Sequence, residues 1–304
     1  MNKETKAPAG FIGLGAMGSP MCRNLLKAGI PLVVYDLDTA KCQALQALGA
    51  SVASSPAEVA AMARRVICMV ETTAQVRTVV TGDKGLMDKG AAGHNIAIMS
   101  TIAPSEIRKL HAELAPRGVG IIDAPVSGGT EGAIDGSMAI FASGETTVMD
   151  VFADAFSAMG KNVFRIGAIG QGTAVKLINN MLMQVNAVAV AEAMAMAAKA
   201  GIDGQMLYDL VKVSTGYSKA FEMRAPRMIA RNFKPGGTMD ISYKDQELET
   251  AFAKELGMPL FLAPVTQQVY QLGRNLGYAK EDGSALIKVY EQLGGITPPP
   301  AKTN

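Results

Sequence analysis

Residues 10–18 read Gly10-Phe11-Ile12-Gly13-Leu14-Gly15-Ala16-Met17-Gly18. A short apolar run, Gly10–Leu14, predicts a strand, and residues 17–28 predict a helix. The glycines between them are spaced Gly-x-Gly-x-x-Gly. Gly13 permits a tight turn, Gly15 lets the backbone approach a pyrophosphate, and Gly18 lets helix and strand pack closely. The helix start supplies amide donors and the positive end of its dipole. Alone the pattern is weak, because glycine-rich turns are common. Inside a strand–turn–helix unit it reads as a dinucleotide cradle made of Gly13, Leu14, Gly15, Ala16, Met17 and Gly18.

The same alternation continues outward. Strands are predicted at Leu32–Asp36, Val66–Val70, Asn95–Met99 and Gly120–Asp123, with helices near 39–48, 56–64, 73–80 and 104–115. Met138–Ser143 and Val163–Ile166, flanking a helix near 147–159, extend the same sheet. Short apolar strands alternating with helices predict an α/β, doubly wound, mostly parallel sheet of Rossmann type over residues 1–168. After residue 170 strand signals stop. Helices near 172–200, 204–213, 219–231, 243–256, 263–276 and 283–293 predict a long helix and an all-helical domain over 169–297. Gly201, Gly257, Gly277 and Gly294 are placed as C-terminal caps, Asp203 and Asp282 as N-terminal ones. Residues 298–304 are expected to be a disordered tail.

With 304 residues the chain is long enough for two domains. A net charge of +2 without a basic run gives no reason to expect nucleic acid or a lipid surface as partner. Cys22, Cys42 and Cys68 are scattered and odd in number, as expected of reduced, core-packed thiols in a cytoplasmic protein. The N-terminal lysines followed by apolar residues are too broken by glycine for a signal peptide. Gln184, Asn186 and Glu192 interrupt the apolar run in 181–198, which argues against a membrane helix.

Three further stretches carry chemistry. Asp36 ends the second strand, where a carboxylate can hold the ribose hydroxyls and would repel a 2′-phosphate, so NAD is favoured over NADP; Lys41 is a partial counterweight. Ser127-Gly128-Gly129 follows a strand end, where successive amides and a hydroxyl suit a substrate carboxylate; such turns are more often only structural. Gly172, Lys176 and Asn180 are spaced i, i+4, i+8 on one helix stripe, with Gly172 expected to leave a bare patch open to another molecule. The chain has only His94 and His111, both expected at the surface, and no zinc-like cluster. A lysine is therefore the natural proton carrier, against the alternative that Lys176 snorkels to solvent. Asp245, in Tyr243-Lys244-Asp245, reads as a first-turn acid of its helix.

Taken together, FIGLGAMGSPM, DAPVSGGTEGA, GQGTAVKLINN and YKD resemble the motifs of the β-hydroxyacid dehydrogenase family, in matching order over residues 10–295. The resemblance implies a hydride exchange between nicotinamide and a small β-hydroxy acid or its semialdehyde. Lys176 would be the catalytic lysine and Asn180 would orient substrate. Ser127, Gly128 and Gly129 would hold the carboxylate. Thr101, after Ser100, and Lys244, supported by Asp245, would lie near the nicotinamide. It also implies a homo-oligomer, dimer or tetramer, formed through the helical domain; the Met- and Ala-rich helix over 181–198 suits an interface and core packing equally. Val70-Glu71 replaces the family's usual Leu-Pro, and Ile98 stands where an Asp is frequent. Lys219 and Arg224 are candidates for a second acidic group on the substrate, against a solvated helix surface. Imine reduction is an alternative that Lys176 disfavours, and a non-catalytic dinucleotide-binding module is disfavoured by Lys176 and Asn180 together.

Overall fold

Short runs such as AGFI and RVIC are buried at every position, Arg65 of the second being paired with Asp154, which suits parallel strands covered on both faces. In the computed structural model, which describes residues 6–297 other than Lys89 and Ala91, they form one sheet. Its strands are β1 (Ala9–Ile12), β2 (Leu32–Tyr35), β3 (Ser51–Val52), β4 (Arg65–Cys68), β5 (Asn95–Ile98), β6 (Gly120–Asp123), β7 (Val126–Ser127), β8 (Met138–Ser143) and β9 (Gly160–Gly167). The order is β3-β2-β1-β4-β5-β6-β8-β7, with β9 on the other side of β8. β1 to β6 are parallel, β8 runs antiparallel to β6 and β7, and β9 is parallel to β8. The chain divides into two compact units, Met1–Lys176 and Leu177–Asn304, and the first contains the whole sheet. The expected tail, 298–304, lies outside the described residues.

Alternation along each strand divides the first unit's interior. Phe11, Ile67, Ala97 and Ile122 enter one apolar cluster, while Ile12, Val66, Cys68, Ile96, Ile98 and Ile121 enter another. The first is covered by α1 (Gly18–Lys27), α2 (Thr39–Gln46) and, later in the chain, α7 (Thr146–Val151) and α8 (Ala153–Met159). The second is covered by α3 (Pro56–Met62), α4 (Thr73–Thr81) and α5 (Pro104–Leu114). A short helix, α6 (Gly129–Asp135), follows β7. The three cysteines are buried, and burial pushes the Cys68 thiol up to about 12, so these are packing groups rather than nucleophiles.

The long helix α9 (Gln171–Lys199) carries the boundary between the units. Its length and apolar composition alone would allow it to cross a membrane. Ala187, Val188, Val190, Ala191 and Met194 are instead core residues of the second unit, packed with Phe221, Met228 and Tyr270. The other helices of that unit are α10 (Gly204–Lys212), α11 (Lys219–Ile229), α12 (Met239–Glu255), α13 (Leu262–Gly273) and α14 (Leu286–Gly294). Two expected ends are corrected. α12 starts at Met239 rather than 243, because the Thr238 side chain accepts from the Ile241 amide and caps it there. Gly294 is the last residue of α14, and Gly295, at φ 57°, makes the left-handed cap.

A buried ionic centre ties this unit together. Asp282 receives Arg224, with Arg227 Nε at 3.4 Å, the Gly237 amide at 3.1 Å, and the Ser284 amide and hydroxyl at 2.9 and 2.7 Å. Burial alone would raise its pKa, but Arg224 and these donors hold the carboxyl below the usual carboxylate range. The stability this gives is present above the unfolded carboxylate's pKa of about 3.9 and is lost as pH falls through the lower folded value. Arg224→Ala is expected to cost about 3 kcal/mol in urea denaturation at pH 7, the low end for a broken buried pair because Arg227 remains. Its acid limb below pH ~4 should be shallower than that of the unaltered protein. An unchanged denaturation midpoint would show that Arg224 contributes nothing.

Candidate active site

The sheet order reverses between β1 and β4, and ligands in open α/β sheets bind beyond the strand ends at such a point. The glycine turn lies there. Gly13 has φ 97°, and a Cβ on it would strike the Met69 carbonyl after β4. A Cβ on Gly18 would strike the Gly13 carbonyl and approach the Phe11 ring at 3.1 Å. A Cβ on Gly15 would meet nothing within 4 Å, so that side of the turn is open. Two glycines are consumed by the protein's own packing and the middle one borders free space, as a pyrophosphate at the start of α1 requires. The residues present fit a dinucleotide.

Asp36, expected to hold a ribose, is bonded within the protein. Its Oδ2 accepts from the Leu14 amide at 2.6 Å and its Oδ1 from the Asp38 amide at 2.8 Å, so it braces the glycine turn. Lys41 Nζ lies 3.9 Å from Asp36 and 3.5 Å from Asp38, sharing its charge between two carboxylates. Ser100 is buried and accepts from the Val70 amide at 2.9 Å; it braces the ends of β4 and β5 and leaves Thr101, half-buried, as the next residue. Glu71 begins the turn before α4, where its amide donates to Gln75 Oε1 at 2.8 Å.

Ser127 ends β7, which pairs with β8. Gly128 (φ 133°) and Gly129 (φ 64°) then turn the chain into α6 in conformations that a side chain would resist. The Asn24 amide of α1 donates to the Ala133 carbonyl of α6 at 2.8 Å, tying the cradle helix to the helix after Ser127-Gly128-Gly129.

Lys176 closes the first unit, half-buried. The expectation for Gly172 is overturned. Its missing side chain leaves no open patch, because a Cβ there would strike the Phe141 carbonyl of β8 and lie 3.0 Å from Asp123 Oδ2. The space is taken by the protein's own strand. Asp123, at the end of β6 and fully buried, reaches the first turn of α9, where Oδ1 accepts from the Gly170 amide at 2.8 Å and Oδ2 from the Thr173 amide at 2.7 Å and hydroxyl at 2.9 Å. Sequence reasoning assigned no role to Asp123, Ser143 or Thr173. The available signal was a carboxylate in a buried strand end with no basic residue beside it.

In the second unit, Asn180 Nδ2 donates to Asp245 Oδ2 at 2.8 Å, and Lys244 Nζ lies 3.0 Å from Asp245 Oδ1. Asp245 is therefore no first-turn acid. With α12 starting at Met239, Asp240 has that place, and buried Asp245 holds Asn180 and Lys244 together. Lys219 pairs with Glu222 on an exposed surface, and Arg224 is committed to Asp282. Neither is set aside for a second acidic group. The histidines, expected at the surface, are half-buried: His94 Nε2 lies 2.8 Å from the Ala60 carbonyl, and His111 Nδ1 is buried without a partner.

A mostly parallel sheet with a glycine turn at its switch point, followed by a helical unit, is the architecture of a dinucleotide-binding protein. Residues 8–167 match the profile of the NAD binding domain of 6-phosphogluconate dehydrogenase, and residues 170–290 the profile described as NAD-binding of NADP-dependent 3-hydroxyisobutyrate dehydrogenase. The chain is 35% identical over 295 residues to 2-(hydroxymethyl)glutarate dehydrogenase of Eubacterium barkeri, covering 97% of this chain and 98% of that protein. It is 36% identical to L-threonate dehydrogenase of Escherichia coli K12, covering 100% of each. The crystal structure of 3-hydroxyisobutyrate dehydrogenase from Salmonella typhimurium superimposes with a TM-score of 0.84 at 35% identity, covering 93% of this chain and 100% of that one. The chain belongs to the β-hydroxyacid dehydrogenase family, and it is a hydroxyacid dehydrogenase with an NAD(P)-binding domain.

Proposed function

We propose that the protein interconverts a small β-hydroxy acid and its semialdehyde with NAD as the preferred cofactor and Lys176 as proton carrier. One observation carries this reading: Lys176 stands a single helical turn beyond an α9 start that is fastened to the strand ends. Gly13, Leu14, Gly15, Ala16, Met17 and Gly18 hold the pyrophosphate, Asp36 the adenosine ribose, and Thr101 and Lys244 the nicotinamide end. The bound dinucleotide supplies the hydride acceptor or donor. Ser127, Gly128 and Gly129 hold the substrate carboxylate through amide and hydroxyl donors. Asn180, oriented by Asp245, fixes the hydroxyl or carbonyl oxygen. In oxidation the neutral Lys176 amine takes the hydroxyl proton as hydride leaves the same carbon; in reduction the ammonium returns it to the carbonyl oxygen.

NAD preference follows from charge. A 2′-phosphate would meet the Asp36 carboxylate, and Lys41 is already shared between Asp36 and Asp38. The test is a rate screen with NADH over succinic, methylmalonic, tartronic and sulfolactic semialdehydes, and with NAD over 3-hydroxy acids. We expect kcat/KM with NADH to exceed that with NADPH at least about tenfold, equivalent to about 1.4 kcal/mol. Equal rates would remove the ribose role of Asp36; no turnover of any of these compounds would remove the substrate class.

A homo-oligomer, dimer or tetramer, is part of the same reading. Leu182 and Met196 of α9 and Leu293 of α14 are exposed apolar side chains beside the core positions of those helices. Light scattering in solution that gives a monomer would remove it. A cytoplasmic location accords with three buried, unpaired thiols.

A further inference from the structure

We infer that Asp123, acting with Ser143 and Thr173, is a positioning residue for turnover. Its carboxylate clasps the first turn of α9 and thereby sets the place of Lys176. The inference rests on the reading of Lys176 as proton carrier.

A helix start is ordinarily capped from the residue just before it, by a serine, threonine, asparagine or aspartate. Here that residue is Gly170, which has no side chain to cap with. The cap comes from a carboxylate 47 residues from Gly170 and 50 from Thr173. A local cap only ends a helix, whereas a remote one fastens it to the strand that supplies the cap. The choice of a carboxylate is costly, because a fully buried charge must be matched by donors. Asp123 is matched by the Gly170 amide, the Thr173 amide and hydroxyl, and the Ser143 hydroxyl, which donates to Oδ1. These donors are neutral, and the positive end of the α9 dipole favours the anion.

Ser143 completes the clasp. While donating to Asp123 it accepts from the Gly172 amide at 2.9 Å, so the end of β8 grips the same turn. Gly172 lets that turn lie directly on the Phe141 carbonyl. Lys176 is three residues beyond Thr173 and four beyond Gly172, on the same helix face and about 4.5–6 Å along the axis. Its Cα–Cβ bond tilts toward the helix N-terminus, so the side chain leans back over the clasped turn. The strand that carries Asp123 leads within four residues to Ser127 and then to Gly128-Gly129. One carboxylate thus sets the offset between the proposed proton carrier and the proposed carboxylate nest. A misplacement of about 1 Å at such a site can cost about a hundredfold in rate.

The test compares Asp123→Asn, Thr173→Val, Thr173→Ser and Lys176→Ala in the full-length protein. Asp123→Asn turns one acceptor into a donor facing donors. Thr173→Val removes the hydroxyl at constant shape, and Thr173→Ser keeps it. The readouts are kcat, KM, the pH profile of kcat, NADH affinity by fluorescence, and thermal unfolding. Thr173→Val is expected to lower kcat about tenfold and Asp123→Asn about a hundredfold, with a displaced pH limb and NADH affinity within about twofold of the unaltered protein. Thr173→Ser should return kcat to within about threefold of it. Folded Asp123→Asn and Thr173→Val with unaltered kcat and pH profile, beside an inactive Lys176→Ala, would overturn the clasp and leave the proton carrier standing. Turnover retained in Lys176→Ala would overturn both. If Asp123→Asn does not fold, Thr173→Val decides the matter.

Discussion

Lys176→Ala is expected to lower kcat by about 10³-fold, in the middle of the range that general acid–base catalysis supplies, without weakening NADH binding. The expectation follows from position and chemistry together. Lys176 follows a glycine and a threonine that are consumed by packing and hydrogen bonding at the ends of β6 and β8, so its backbone is fixed beside those strand ends. Cofactor affinity should hold because the cradle is built from β1, α1 and Asp36, none of which Lys176 supports. Lys176→Arg should be inactive as well, since a guanidinium stays protonated and cannot take a hydroxyl proton. Small primary amines added to Lys176→Ala should restore part of the rate. Steady-state kinetics with fluorescence titration checks all three, and turnover within about threefold of the unaltered protein would remove Lys176 from the chemistry.

Gly18→Ala and Gly15→Ala should part company. At Gly18 the added methyl meets the Gly13 carbonyl and the Phe11 ring, and backbone cannot retreat as a side chain can. The cost is about 1–3 kcal/mol of stability. At about 2–4 °C per kcal/mol for a chain of this size, that is several degrees of Tm. The turn also opens, and NADH affinity should fall more than about tenfold. At Gly15 the methyl enters free space, so Tm should move by less than about 1 °C. NADH affinity should nevertheless fall by a similar factor, because that space is the proposed approach of the pyrophosphate to the backbone. Equal NADH affinity in Gly15→Ala and the unaltered protein would mean that the phosphates bind elsewhere.

Much of the architecture was legible because it is written in local periodicity. The strand runs, the order of strands and helices along the chain, and the long helix, expected near 172–200 and found at Gln171–Lys199, could be read from apolar spacing and glycine punctuation. The short elements β3, β7 and α6 were not read, because two residues of strand or a seven-residue helix after a Gly-Gly turn leave no periodic signal. The start of α12 was misplaced because Thr238 caps it ahead of the apolar pattern used to find it.

The site divides along the same line. Gly13, Gly15 and Gly18 could be given separate tasks from their spacing, since each task is set by neighbours a few residues away. The tasks of Gly172 and Asp245 could not. Gly172 reads as an open patch on an isolated helix and proves to be the seat of β8, and Asp245 reads as a helix-dipole acid and proves to hold Asn180 across 65 residues. The sequence by itself determined where the chain turns, which faces are apolar and which residue types are present for chemistry, because those depend on contacts one to four residues apart. Only the tertiary structure decided which buried carboxylate answers which helix start, because a hydrogen-bond partner some 50 residues away leaves no period in the sequence.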